Sequence, residues 1–456
     1  MGPERYDAVV VGSGPNGLAA AITLAEAGRS VVVLEAAHKP GGGLRTEELL
    51  EPGFRHDVCS TIMALPPLLD LFQQLDLDLV VPPAPLAHPF DDGTAAVLER
   101  SGDFPMIDPY ARHIRELLPM VMRPPRLPGR FLLMLQFGEV GILPATVAAR
   151  MFRDRDKRAL FAGAAAHSLL SLDEWGTSAV AVLMLASARA AGWPVARGGS
   201  ANVAQAMVRR LHELGVEVQC DRRVSSLRDL PQHRALLLDL VPKGILAVTG
   251  DHFRGRYRRA LERFRHGPGA FKLDWTLDAP IPWRCPDVAR AATVHLGGTL
   301  EELAASEEDV ANGRHPEGPF VLLTQPTLFD RTRAPGGKHV AWAYCHVPNG
   351  SDVDMTAAVE RQVERFAPGF RDLIRRRSAW SPSRIEAEEP NCVGGDVMGG
   401  RMDLRGLVAR PVLSLDPYRT PDPAMFICSA ATPPGGGVHG MCGVNAARPA
   451  LRSRLR

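Results

Sequence analysis

Gly12, Gly14 and Gly17 follow an apolar run at residues 8 to 11, and Glu35 closes the next run, "SVVVLE". That spacing suits the phosphates and ribose of a dinucleotide. Gly12 permits a tight turn, Gly14 lets the backbone approach a pyrophosphate, and Gly17 lets a helix pack closely on a strand. Pro15 and Asn16 open that helix, whose unpaired N–H groups and positive dipole end face the phosphates. Glu35, followed by Ala36, accepts hydrogen bonds from ribose hydroxyls and repels a 2′-phosphate, which argues against NADP.

The elements that must position these groups are legible around them. Residues 8 to 11 read as a strand covered on both faces, residues 16 to 27 as a helix ended by Gly28, and "SVVVLE" as a second strand. "PGGGLRT" then adds a second glycine loop, Gly41, Gly42 and Gly43, with Arg45 behind it. Nothing in a nicotinamide-binding unit demands a glycine loop there. A third, "TPPGGGVHGMCG" at residues 432 to 443, lies between a predicted strand at 425 to 428 and a helix. Gly435, Gly436 and Gly437, with Val438, let main chain pass a flat ring with no Cβ in the way. The helix that follows can turn its positive end toward charge gathering on such a ring.

Together these motifs resemble the flavin amine oxidase superfamily, and within it the phytoene desaturase-like FAD-dependent oxidoreductases. That group also takes in the pyridine nucleotide-disulfide oxidoreductase domain-containing protein 2 proteins. The second loop matches the G-G-x-x-R-T-like stretch, with Gly43 where amine oxidases carry arginine, which favours the desaturase branch. "PGFRHDVCST" matches at Gly53, Phe54, Asp57 and Thr61 and departs at His56, Cys59 and Ser60. His56 is expected to be an ordinary polar position beside a strand. The resemblance implies FAD as cofactor, Val224 at the adenine, and Gly42, Gly43 and residues 435 to 438 along the pyrophosphate and flavin.

It also implies an α/β fold, a discontinuous Rossmann-like FAD-binding domain with an inserted mixed-sheet and helical substrate domain. The expected division is 1–66, 196–245 and 401–456 for FAD, and 67–195 with 246–400 for substrate. Residues 197 to 227 read as a loop, a helix capped by Ser200 and a strand at 216 to 220, and "ALLLDLVP" at 235 to 242 as a buried strand. The stretch 67 to 195 reads as helix-rich, serving as core, apolar lid or membrane-facing surface. "FKLDWTL" at 271 to 277 alternates as a half-buried strand with one polar face. Lys272 on that face is expected to be exposed or ion-paired; Lys272, Asp274 and His439 are the pocket candidates, with no catalytic side chain assigned. Pro449 is expected to interrupt the last helix.

Composition narrows the class. A formal net charge of +2 over 456 residues offers no electrostatic footprint for nucleic acid. Seven scattered cysteines without a C-x-x-C pair fit a reducing cytoplasm and no dithiol centre. No histidine spacing suggests a metal. The N-terminus leads into a strand with no room for a signal peptide, and the longest apolar run, 176 to 188, is too short to span a bilayer. The expected chemistry is dehydrogenase or desaturase type. Hydride leaves a C–H of a fairly apolar small molecule or a lipid such as a polyene for flavin N5, with oxygen or a quinone as final acceptor. A flavin amine oxidase acting on a C–N bond, a redox-neutral isomerase and a non-catalytic FAD-binding interaction protein stay open, as does peripheral membrane contact.

Overall fold

The computed structural model describes residues 5–124 and 129–456, built around two main sheets. The chain opens with β1 (Arg5–Val11), α1 (Pro15–Glu26) and β2 (Val31–Leu34). It continues through β3 (Ala84–Pro89), β4 (Ala95–Leu98), α2 (Phe131–Gly141), α3 (Arg155–Ala166) and α4 (Thr177–Ala191). Next come α5 (Ala201–Glu213), β5 (Glu217–Gln219), β6 (Gln232–Leu238), α6 (Pro242–Thr249) and α7 (Gly255–Glu262). The mixed sheet and its cover are built from β7 (Gly269–Leu277), β8 (Ala291–Leu296), β9 (Val321–Thr324), β10 (His339–Val347), α8 (Thr356–Phe366) and β11 (Ile374–Trp380), with shorter elements and the helix Leu300–Ala311 between. A short α9 (Leu404–Val408), β12 (Met425–Ile427) and α10 (Met441–Ser453) complete the fold.

One sheet is wholly parallel in the order β12-β6-β1-β2-β5. Its strands are short apolar runs because both faces are covered. Ala8, Val10 and Leu237 face the helices α1, α5 and α10, while Val9, Val11 and Leu236 pack with Ile245 of α6, Leu261 of α7 and Phe253 between them. This is the Rossmann-like sheet that the glycine spacing predicts. The second sheet is mixed, in the order β11-β7-β10-β9-β8-β3-β4, with β8 and β3 the parallel pair.

Three local expectations need correction. The polar face of β7 is not solvated, since all nine residues of the strand are buried. The alternation is right in register, but residues 51 to 57 cover that face: Thr276 Oγ1 donates to Glu51 Oε2 at 2.6 Å, and His56 sits over Asp274. The helix-rich stretch supplies two strands of the mixed sheet as well. Pro85 and Pro89 hide β3, a strand interior to the sheet, where proline normally argues against strand. Pro449 does not stop α10, which runs through it to Ser453.

Candidate functional site

The carboxyl ends of β1, β2 and β6 meet the N-terminus of α1, which is where an open parallel sheet binds ligands. Gly12 turns the chain with φ +100° and donates its N–H to Leu34 O at 2.8 Å. A Cβ on Gly17 would run into the Gly12 carbonyl oxygen, so this glycine is demanded by the closeness of helix and strand. Glu35 is held at the end of β2 by three donors: Ser13 N–H and Oγ–H reach Oε2 at 2.8 and 2.6 Å, and Ala37 N–H reaches Oε1 at 2.8 Å. Oε1 keeps acceptor capacity for a ribose hydroxyl. Arg222 N–H donates to Glu35 O at 2.7 Å, which brings the segment carrying half-buried Val224 alongside.

The other two glycine segments dock on the same corner. Gly41 N–H donates to Ser13 O at 3.1 Å, and a Cβ on Gly42 would lie 3.1 Å from Gly14 Cα. From the C-terminal side, a Cβ on Gly440 would lie 2.7 Å from Ala19 Cβ, and one on Gly443 would collide with the Asn16 carbonyl oxygen. The N-terminal ends of α1 and α10 therefore converge, and their dipoles favour an anion there. Neither helix has a side-chain cap from its own N-cap glycine, and Asn16 Oδ1 is buried without a partner. Two converging helix N-termini, a glycine cradle and an anchored acid fit the phosphates and ribose of a dinucleotide.

Within "PGGGVHG" the backbone is tightly placed. A Cβ on Gly436 would lie 2.7 Å from Met398 Cα, and one on Gly435 2.8 Å from Met402 Sδ, so the loop at 391 to 400 and its continuation cover this turn. His439 is buried, with Nε2 donating to Gly435 O at 3.1 Å and Nδ1 accepting from Met441 N–H at 3.0 Å. Burial lowers its pKa to about 4, so it stays neutral and braces the turn into α10. Both ring nitrogens are engaged with backbone, leaving His439 no free nitrogen for proton transfer. Cys442 packs beneath, its thiol pushed up by burial to about 12.

The pocket candidates on β7 form a second cluster. Lys272 Nζ lies 2.5 Å from Asp274 Oδ2, and His56 Nδ1 lies 3.4 Å from Asp274 Oδ1, all three groups buried. Burial acts to raise the Asp274 pKa, but Lys272 and His56 outweigh it and hold the carboxyl below its usual range. The Lys272 ammonium sits 5.3 Å from the ring centre of Trp342 and 5.7 Å from that of Trp380. Next to it Cys59 packs on Gly43, its thiol pushed up by burial to about 11. Of the two expectations for Lys272, exposed or ion-paired, the structure shows the ion pair, whereas His56, expected as an ordinary polar position beside a strand, is a fully buried partner of Asp274. Arg45, near the same loop, pairs with Glu389 at 2.6 Å.

Asp57 and Thr61 were read as motif positions, but their partners Arg333 and Trp342, and Asp239 elsewhere, escaped sequence reasoning. Asp57 binds Arg333 Nη1 at 2.5 Å and Thr61 Oγ1 at 2.6 Å, and Trp342 Nε1 donates to Thr61 at 2.8 Å, joining the N-terminal segment to the mixed sheet. Asp239, just past β6, accepts the Gly17 N–H at 2.9 Å. An acid at the carboxyl end of a central parallel strand was the signal that could have revealed it. Among the described residues no group of three or more His, Cys, Asp or Glu could hold a metal, and no helix is long and apolar enough to cross a membrane.

Residues 10–75 match the NAD(P)-binding Rossmann-like domain. The chain is 24% identical over 560 aligned residues to mouse (Mus musculus) pyridine nucleotide-disulfide oxidoreductase domain-containing protein 2, covering 99% of this chain and 94% of that protein. It is 29% identical over 431 residues to phytoene dehydrogenase of Streptomyces griseus, covering 83% and 80%. An oxidoreductase structure from Methanosarcina mazei shares the fold with a TM-score of 0.66 at 13% identity, over 98% of this chain and all of that one.

Proposed function

Proceeding from a chain homologous to phytoene dehydrogenase and to pyridine nucleotide-disulfide oxidoreductase domain-containing protein 2, we propose that this oxidoreductase holds FAD across its glycine corner. The observation that carries the reading is the convergence of Gly14, Gly42 and Gly440, remote in sequence, on the first turn of α1. A nicotinamide site requires only the first of these segments. When bound, FAD supplies N5 as hydride acceptor for oxidation of a substrate C–H, and oxygen or a quinone takes the electrons onward.

The chain's own residues bind, orient and exclude water. Gly12, Gly14, Pro15, Asn16 and Gly17 present the α1 N-terminus to the pyrophosphate. Glu35, with Ala36 and Val224 beside it, takes the ribose and adenine end. Gly42, Gly43 and Arg45, with Gly435, Gly436, Gly437 and Val438, line the course of the ring. Lys272 and Asp274, between Trp342 and Trp380, wall the substrate side with a charge-neutral pair. Because Lys272 is answered by Asp274, it is not the free base that an amine oxidase reading needs, and a fairly apolar substrate oxidised at carbon fits better. The expected division of labour is a discontinuous cofactor domain of 1–66, 196–245 and 401–456 around the rest, with peripheral lipid contact as part of the same reading.

Purified protein is expected to be yellow and to release FAD on denaturation; colourless protein that takes up no FAD ends this reading. Glu35→Ala should weaken FAD binding at least tenfold, roughly one charge-assisted hydrogen bond, with little change in fold by circular dichroism. Anaerobic bleaching against polyenes, acyl chains and amines identifies the substrate class, and bleaching by amines alone would favour the C–N alternative.

A further inference from the structure

Asp239 occupies ground that the proposed cofactor's charge also needs. Its Oδ2 accepts the Gly17 N–H at 2.9 Å, and a Cβ on Gly14 would lie 2.9 Å from the same oxygen. Gly12 packs on its backbone and Cβ, at 3.1 and 3.0 Å from where a Gly12 Cβ would stand. The residue cannot swing away easily, because Asn391 Nδ2 donates to Asp239 O at 2.8 Å while Asn391 Oδ1 accepts Val241 N–H at 3.0 Å. The titratable groups facing it are Glu35 from the end of β2, Cys428 after β12 and Cys442 of α10. Burial keeps both thiols protonated, so neither supplies nor relieves charge. Glu35 adds a negative charge.

We propose that Asp239 couples loading of the dinucleotide to proton uptake: with a pyrophosphate on the glycine loop its carboxyl must be neutral, so one proton enters with the cofactor and resides on Asp239. This rests on the FAD reading. Two anions sharing one dry corner repel strongly, and protonating the carboxyl removes the conflict while its second oxygen still accepts the Gly17 N–H. Burial, aided by Glu35 and opposed by that N–H, already raises the Asp239 pKa to about 7, so the proton is exchangeable near neutrality. A pyrophosphate raises it further, and linkage fixes the sign: affinity is highest below about pH 7 and falls by up to about tenfold per pH unit above it.

The test uses the full-length apoprotein with FAD, following quenching of flavin fluorescence from about pH 6 to about pH 9, and proton uptake with an indicator dye in weak buffer. Wild type should lose affinity with rising pH and take up close to one proton near pH 8, ~1 by linkage. Asp239→Asn keeps an acceptor for Gly17 N–H and should bind FAD with a flat profile and no uptake. Glu389→Gln is the control, because burial pushes Glu389 to about 7 beside Arg45 and this variant should keep the slope. FAD bound with no slope in wild type, or a slope abolished by Glu389→Gln and kept by Asp239→Asn, overturns the coupling and leaves the FAD reading standing. No FAD binding at any pH by wild type or Asp239→Asn removes both.

Discussion

Lys272 and Asp274 illustrate how much a single pair of side chains owes to the layers around it. Taken out of water, each is tolerable only because the other is 2.5 Å away. Lys272→Met is expected to cost about 3–5 kcal/mol, since it leaves Asp274 buried beside His56 without its cation. Lys272→Met combined with Asp274→Leu should recover much of that loss, as read from urea midpoints. The same pair sets a pH dependence. The Asp274 carboxyl is held below its ordinary range, so its contribution is full above about pH 4 and is lost as pH falls through the lowered value. Sequence reading found both residues from the alternation of residues 271 to 277. It missed His56 as their partner, because β7 and residue 56 meet only through tertiary packing.

At the scale of elements, local rules worked where they were reinforced and failed where packing overruled them. The strand, turn and helix of residues 5 to 34 were legible because apolar runs, glycines and the closing acid all point one way. The α5 helix starts where Ser200 predicts, yet the Ser200 side chain makes no cap; Asp57 accepts its N–H at 2.8 Å and Thr46 accepts that of Ala201 at 3.1 Å. α10 survives Pro449 because its face is buried on α1, while Ser453 Oγ and Arg419 reach Pro449 O. Its start depends on His439. Replacing His439 with Ala frees the Met441 N–H and leaves the Gly435 carbonyl only the Cys442 thiol, an expected loss of about 1–2 kcal/mol. Thermal melts followed by circular dichroism should show it, and FAD should dissociate faster from this variant. Unchanged melting would remove the brace from His439.

For the whole molecule, part of the exposed apolar surface among the described residues forms one seam. Phe131, Leu132 and Leu135 of α2, then Ile142, Trp175, Leu404, Leu407 and Val408 are all exposed. Ile142 O accepts Gly176 N–H at 2.8 Å, and a Cβ on Gly176 would lie 3.1 Å from Leu404 Cδ2, so these segments adjoin. Met402, two residues before Leu404, covers Gly435, placing the seam beside the proposed ring site. The lipid contact proposed above would use this seam. Wild type should co-sediment with phospholipid vesicles, and Leu407→Asp with Val408→Asp should abolish this while FAD content is unchanged. A dimer dispersed by the same changes, with no vesicle binding, would assign the seam to a second copy instead. The sequence carried the apolar composition of these helices but could not say which side each buries.

The backbone contact between Gly443 and Asn16 also bears on the order in which the molecule can be made. β1 needs β6 beside it, with Gly17 and Asp239 separated by 222 positions, and α1 needs α10 from further still. During synthesis β1, β2 and α1 therefore wait, their apolar faces uncovered, until α10 has left the ribosome. Long-range closure of this kind is slow and exposes the intermediate to aggregation. Chaperone dependence should accordingly concentrate on nascent chains that lack α10, and pulse proteolysis of stalled chains should find residues 5 to 34 protected only once residue 453 has emerged.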